Sequence, residues 1–261
     1  MGSCLVSQGG ARLGGSELRE ARSYKGGNFG ASGSASAADV LVGDVFLCSG
    51  QSNMQGLKEK TSVLPELKKL LPGADIQHVK FARGGQPIRK WVKTWDEIAR
   101  KNKLTQQFND PAEFYDVVLK QAKASIAEGK PDSITFLWMQ GERDGKTGLA
   151  AAYEESMKTL IANLRKDLEA PEMNFVIGRL CDHLNHDQWN GVRDAQVKVA
   201  NDDPRGAWAD TDDTNDKERN GKKVNDLHYT KEGYDLFGRR LAHQAVRLIK
   251  GEKPDPGGRP E

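Results

Sequence analysis

Four stretches of this chain carry side chains that could do covalent chemistry, three of them just beyond a short apolar run and the fourth reached through a loop. Ser49-Gly50-Gln51-Ser52-Asn53-Met54 follows Val45 to Cys48, and Arg83-Gly84-Gly85-Gln86-Pro87 follows Ile76 to Ala82. Gln140-Gly141-Glu142-Arg143-Asp144 follows Ile134 to Trp138, and Asn225-Asp226-Leu227-His228-Tyr229 comes after an acidic loop. Together they offer a hydroxyl, backbone donors beside glycine, an amide, carboxylates and an imidazole. These are the parts of a serine hydrolase: a nucleophile, a base that takes its proton, an acid that orients the base, and donors for an oxyanion. Singly, each is ambiguous, since Ser52 could cap a helix and His228 could be structural. Gly50-Gln51-Ser52 has the start of a nucleophile elbow, but Asn53-Met54 replaces the second glycine of that motif and Ser52 follows the first strand.

The elements that must position these residues alternate in type. Val45–Cys48, Ile76–Ala82, Ile134–Trp138, Phe175–Gly178 and Ala207–Ala209 read as buried strands. Between and after them, residues 111–128, 149–168, 189–200 and 230–249 show helical spacing, with Thr230 placed as an N-cap. Strands alternating with helices predict an α/β fold with a parallel sheet covered on both faces. Ligands of such sheets bind at the carboxyl ends of the strands, where all four stretches lie. Residues 1–38, rich in Gly, Ser and Ala, read as a flexible leader. Residues 39–250 form the folded domain, and 251–261, with Pro254, Pro256, Pro260 and Gly257-Gly258, read as a disordered tail.

Gly43-Asp44-Val45-Phe46-Leu47-Cys48-Ser49-Gly50-Gln51-Ser52-Asn53-Met54 resembles the opening block of the sialate O-acetylesterase group of SGNH hydrolases, which includes the family 6 carbohydrate acetylesterases. Arg83-Gly84-Gly85, Trp138-Met139-Gln140-Gly141-Glu142-Arg143-Asp144 and Asp226-Leu227-His228-Tyr229 resemble its later blocks, in order. The resemblance implies a flavodoxin-like three-layer α/β/α fold with a five-stranded parallel sheet. It also implies metal-free, serine-dependent removal of acetyl groups from sugar hydroxyls, with an acetylated carbohydrate such as xylan or sialic acid as partner. Carried over, Ser52 is the nucleophile and His228 the general base. The oxyanion is held by the Ser52 N–H, a glycine N–H of Gly84 or Gly85, and the Gln140 amide. Gln51, Asn53 and Trp91 become candidates for substrate contact. Many SGNH enzymes carry Asp three residues before the histidine; here that position is Asn225 and Asp226 is two before. Asp226 is the first choice for the acid, on the same side of an extended segment as His228, and Glu142 is its rival.

Composition narrows the alternatives. With 261 residues, 39 Lys+Arg against 37 Asp+Glu and a formal charge of +2, the chain has no basic footprint for nucleic acid. Mean hydropathy is −0.68, and no run approaches the roughly 20 apolar residues of a membrane helix. Cys4, Cys48 and Cys181 are too sparse for a disulfide framework or a thiolate metal site. His183 and His186 lack a third well-placed ligand, and Asp210, Asp212, Asp213 and Asp216 lack calcium-loop spacing, so no metal or other cofactor is expected and the acidic stretch reads as a solvated loop. The resemblance suggests a secreted or periplasmic protein, although no signal peptide is visible at Met1 to Leu5. A carbohydrate-binding pseudoenzyme and an SGNH lipase or thioesterase are the competing readings.

Overall fold

Apolar runs hidden on both faces make the centre of the molecule. The computed structural model describes residues 43–105, 112–129 and 131–260; the expected leader lies outside them. Strands β1 (Gly43–Gly50), β2 (Asp75–Ala82), β3 (Ser133–Met139), β4 (Asn174–Gly178) and β5 (Gly206–Ala209) form one sheet. Its order is β2-β1-β3-β4-β5, with every neighbouring pair parallel. All eight residues of β1 are buried, as befits a strand flanked by two others and roofed on both faces. Parallel neighbours need crossovers, and helices supply them.

These helices are α1 (Ser52–Gly56), α2 (Val63–Leu70), α3 (Trp95–Lys101), α4 (Glu113–Gly129), α5 (Glu142–Thr147), α6 (Tyr153–Asp167), α7 (Asp187–Asn201) and α8 (Lys231–Ile249). On one face α8 packs on β4 and β5 and meets α2; on the other, α4 covers β1 and β2 while α7 covers β4 and β5 beside α6. This is the flavodoxin-like three-layer arrangement, whose strand order reverses direction between β1 and β3. At that switch point Ser52 follows β1 and Gln140 follows β3.

All five expected strands and all four expected helices are present. Thr230 caps α8, its Oγ1 accepting from the Gly233 N–H at 2.8 Å. A small antiparallel hairpin was not anticipated: β6 (Asp216–Arg219) and β7 (Lys222–Asn225), joined by Asn220-Gly221 with φ of 52° and 71°. Positive φ at both turn residues matches the twist of a two-residue hairpin.

Two expectations need correction. The tail is ordered against the fold through residue 260, although its composition suggested disorder. Gln244 Nε2 donates to Asp255 O (2.9 Å), the Asp255 N–H returns a bond to Gln244 Oε1 (2.9 Å), and the Asp210 N–H donates to Gly258 O (2.7 Å). Pro and Gly preclude regular structure, not docking, when side chains take over the backbone bonds. The acidic stretch is likewise not a solvated loop. Arg179 bridges Asp210 (2.5 Å) and Asp212 (2.7 Å), Arg193 holds Asp212 (2.7 Å), Arg240 holds Asp213 (2.6 Å), and Arg259 reaches Asp210 from the tail (2.5 Å).

Candidate active site

Gly50 makes the turn into Ser52 possible. Its φ is 144°, and a Cβ there would stand 1.9 Å from Met139 O, so only glycine lets β1 end so close to β3. The Gln51 N–H donates to Met139 O at 2.8 Å, and the chain then enters α1, whose first residue is the half-buried Ser52. The glycine loop after β2 arrives on the other side. The Arg83 N–H donates to Gly50 O (3.0 Å), and a Cβ on Gly84 would lie 3.9 Å from Ser52 Cβ. The Gly84 N–H donates to Oε1 of the exposed Gln55 at 2.9 Å, with exposed Gly85 just beyond.

Behind the loop sits a buried polar network. Gln140 is fully buried, and its Nε2 lies 3.0 Å from Gln86 O, 3.2 Å from Gln51 Oε1 and 2.5 Å from Asp144 Oδ2. Asp144 also accepts from the Ile88 N–H (3.1 Å), and Gln51 Oε1 from the Arg143 N–H (3.2 Å). Burial pushes the Asp144 carboxyl up to about 7, against the lowering effect of its bonds from Gln140 and Ile88. This network fixes the glycine loop against the ends of β1 and β3. Asp144, which was not assigned a role, is its anchor; it stands in the first turn of α5, four residues after Gln140.

The histidine loop is tied in by Asn53. This residue is fully buried, and its Nδ2 donates to Leu227 O (3.1 Å) and Glu142 Oε1 (2.9 Å) while Oδ1 accepts from the Tyr234 hydroxyl (3.1 Å). Leu227 immediately precedes His228, so the residue after Ser52 holds the residue before His228. Burial pushes Glu142 up to about 7, the Asn53 bond only partly offsetting it; its Oε2 is buried without a protein partner. The imidazole of His228 is bonded to no described residue. Partial burial holds it below its ordinary value, and Lys217, Lys146 and His183 act in the same direction against the opposing charge of Asp226.

Neither candidate acid is hydrogen-bonded to that ring. Asp226 Oδ1 accepts the backbone N–H of His228 itself (3.1 Å), and Oδ2 takes Arg219 (2.7 Å) and Lys217 (3.3 Å). The expected extended segment is therefore a local turn in which the carboxylate folds back on the next residues' backbone. The His228 N–H, followed by Lys217 and Arg219, holds Asp226 below the usual carboxylate range despite some burial. Asn225 faces elsewhere, donating to Asp182 Oδ1 (2.8 Å) and so tying the hairpin to the loop after β4.

The three candidates for substrate contact are corrected by burial. Gln51 is 2% exposed, Asn53 0% and Trp91 1%, so none reaches a bound sugar. Trp91 Nε1 donates to Ser49 Oγ (3.0 Å) and its ring meets Trp138 edge-on at 5.2 Å, as a core residue. Gln140 is corrected too: its amide hydrogens are taken up by Gln86, Asp144 and Gln51, so it braces the glycine loop. Among the described residues, no three His, Cys, Asp or Glu side chains are grouped to hold a metal ion.

The flavodoxin-like sheet carries Ser52 at its switch point, and Asn53, the next residue, ties in the loop that holds His228. The chain belongs to the carbohydrate esterase, sialic acid-specific acetylesterase family, which matches residues 65–247. That segment contains Gln140, Glu142, Asp226 and His228 and begins after Ser52. No curated protein matches the sequence. Among solved structures, a carbohydrate acetylesterase from Xanthomonas citri is similar at 19% identity and a TM-score of 0.57, over 80% of this chain and 57% of that one. A protein from Arabidopsis thaliana is similar at 20% identity and a TM-score of 0.55, over 78% of this chain and 97% of that one. The chain thus spans little more than half the length of the bacterial enzyme, and both likenesses bear on the fold alone.

Proposed function

We propose that the chain is a serine esterase that removes O-acetyl groups from carbohydrate through an acetyl-enzyme on Ser52. The observation that carries this reading is the Asn53 link, which brings the loop of His228 to the helix that starts with Ser52. In the first half-reaction, neutral His228 takes the Ser52 hydroxyl proton as Oγ attacks the acetyl carbonyl. The oxyanion lies against the N–H groups of Ser52 and of Gly84 or Gly85, the exposed Gln55 side chain giving way at Gly84. Collapse breaks the ester bond; the departing sugar oxygen takes the proton from His228, and acetate remains esterified to Ser52. In the second half, His228 deprotonates a water that attacks the acyl-enzyme, releasing acetate and restoring the serine.

Asp226 is the better counter-charge for imidazolium. It is held below the usual carboxylate range and acts directly on His228, whereas burial raises Glu142, which contacts Asn53 instead. The base works only when neutral, so kcat/KM should rise with pH through a midpoint below the ordinary imidazole value. Acetate released from a panel of acetylated glycans, including xylan and O-acetylated sialic acid, identifies the sugar. p-Nitrophenyl acetate should be hydrolysed much faster than butyrate or longer esters. A preference for long acyl chains would favour the lipase reading, and no hydrolysis of any ester the pseudoenzyme.

A further inference from the structure

We infer that Asn53 is a positioning residue whose buried carboxamide sets where the His228 loop stands relative to Ser52; this rests on the serine-esterase reading. The side chain joins four elements. It grows from α1 directly after Ser52, donates to Glu142 at the start of α5 (2.9 Å) and to Leu227 O in the histidine loop (3.1 Å), and accepts from Tyr234 on α8 (3.1 Å). It is fully buried, so its bonds are exchanged for none with water, and removing one leaves a buried polar group unpaired.

The histidine loop is also held by Asn215 and Thr214 and by the buried Tyr229 against Met139, but none of these ties refers it to α1. His228's ring is bonded to no described residue, and its backbone N–H is held by the neighbouring Asp226 at 3.1 Å, which moves with it. The hairpin before it is mostly exposed. Of the bonds around the base, the Asn53 to Leu227 contact is the one that refers the loop to the nucleophile's own helix. Glu142 orients the carboxamide by accepting its other N–H, so this buried acid serves the base through Asn53.

A displacement of about 1 Å between reacting groups can cost about 100-fold in rate. Asn53→Ala, which removes all three bonds, should lower kcat roughly 10- to 100-fold with little change in KM. The paired change Asn53→Asp with Glu142→Gln separates positioning from stability. It conserves charge, keeps the acceptor for Tyr234 and reverses the bond between positions 53 and 142, but supplies no donor for Leu227 O. Thermal stability should return towards wild type while kcat stays low.

The imidazole supplies a readout that needs no turnover. NMR titration of the His228 ring, assigned with His228→Gln, should move up towards the ordinary imidazole value in the paired variant as the loop loosens. The groups that face the ring are Asp226 beside it, Lys217 on β6, Lys146 on α5 and His183 after β4, and none is changed. An unmoved titration, or kcat recovering in step with stability, would overturn the assignment. Because the titration is independent of catalysis, it tests the strut even if the chain proves to hydrolyse no acetyl ester, an outcome that would sink the esterase reading alone.

Discussion

Two groups of carboxylates sit at the carboxyl ends of the same sheet and live under opposite rules. Behind Ser52, at the end of β3, Glu142 and Asp144 are buried with amides and backbone N–H groups for company, and burial pushes both up to about 7. Beyond β5, Asp210 and Asp213 are gripped by arginines. Burial alone would raise Asp210, but Arg259 and Arg179 hold it below the ordinary carboxylate range; Arg240 does the same for Asp213. The first group costs stability at neutral pH and lies beside the proposed nucleophile, a pattern common to active sites. The second contributes stability and closes the sheet's far edge together with the tail.

The sharpest contrast within the first region is between the two candidate acids. Asp226→Asn should lower kcat by up to about 10⁴-fold, the loss seen when a protease triad's aspartate is neutralised. It should also move the acid limb of the kcat/KM profile further down, because the charge that raises His228 is gone. Glu142→Gln should leave most of the turnover. Near-normal kcat in the first variant with collapse in the second would transfer the role to Glu142.

Breaking the arginine clamp should reverse the pattern. Arg179→Met, which takes one arginine from each of Asp210 and Asp212 and leaves them Arg259 and Arg193, should cost about 2–3 kcal/mol of stability and leave kcat of the folded protein unchanged. Asp210 binds its proton less readily folded than unfolded. Its contribution is therefore present above the ordinary carboxylate pKa and lost as pH falls through the lower folded value. Denaturant melts of variant and wild type should converge in strong acid; a constant gap would mean that packing, not charge, is lost.

Glu142 gives the smaller effect with the opposite sign. It binds its proton more tightly folded than unfolded, so the folded state is favoured below about pH 4.5 and that advantage disappears as pH rises through about 7. Glu142→Gln should accordingly stabilise the protein at pH 8, by up to about 3 kcal/mol, and much less at pH 5. Equal effects at both pH values would show that the carboxyl is ionised and satisfied.

The strands were legible because β1, β3 and β4 are covered on both faces and therefore read as continuous apolar runs. The site's first layer was legible for a related reason: glycine beside polar residues at strand ends has few structural uses. What lay behind it was not. Asn53 and Gln51 are polar by type, and a sequence shows the type without the partner; both reach their partners across the fold, Asn53 at Leu227 and Gln51 at Gln140. Trp91 could have stacked on a sugar until Ser49 and Trp138 enclosed it. The tail's prolines and glycines advertise missing regular structure, but Gln244 and Asp210, which dock it, lie elsewhere in the chain. The β6–β7 hairpin was hidden in an acidic and basic stretch with no apolar alternation, held instead by its Asn-Gly turn.

The central claim is that Ser52 carries the acetyl group. Acetate release from an acetylated glycan, measured for wild type and for Ser52→Ala with its fold verified by circular dichroism, tests it most directly. Loss of a nucleophile costs about 10⁴–10⁶-fold, so the variant should release acetate at close to the uncatalysed rate. A folded Ser52→Ala protein that keeps more than about a tenth of wild-type turnover, far above the range for nucleophile loss, would contradict the account.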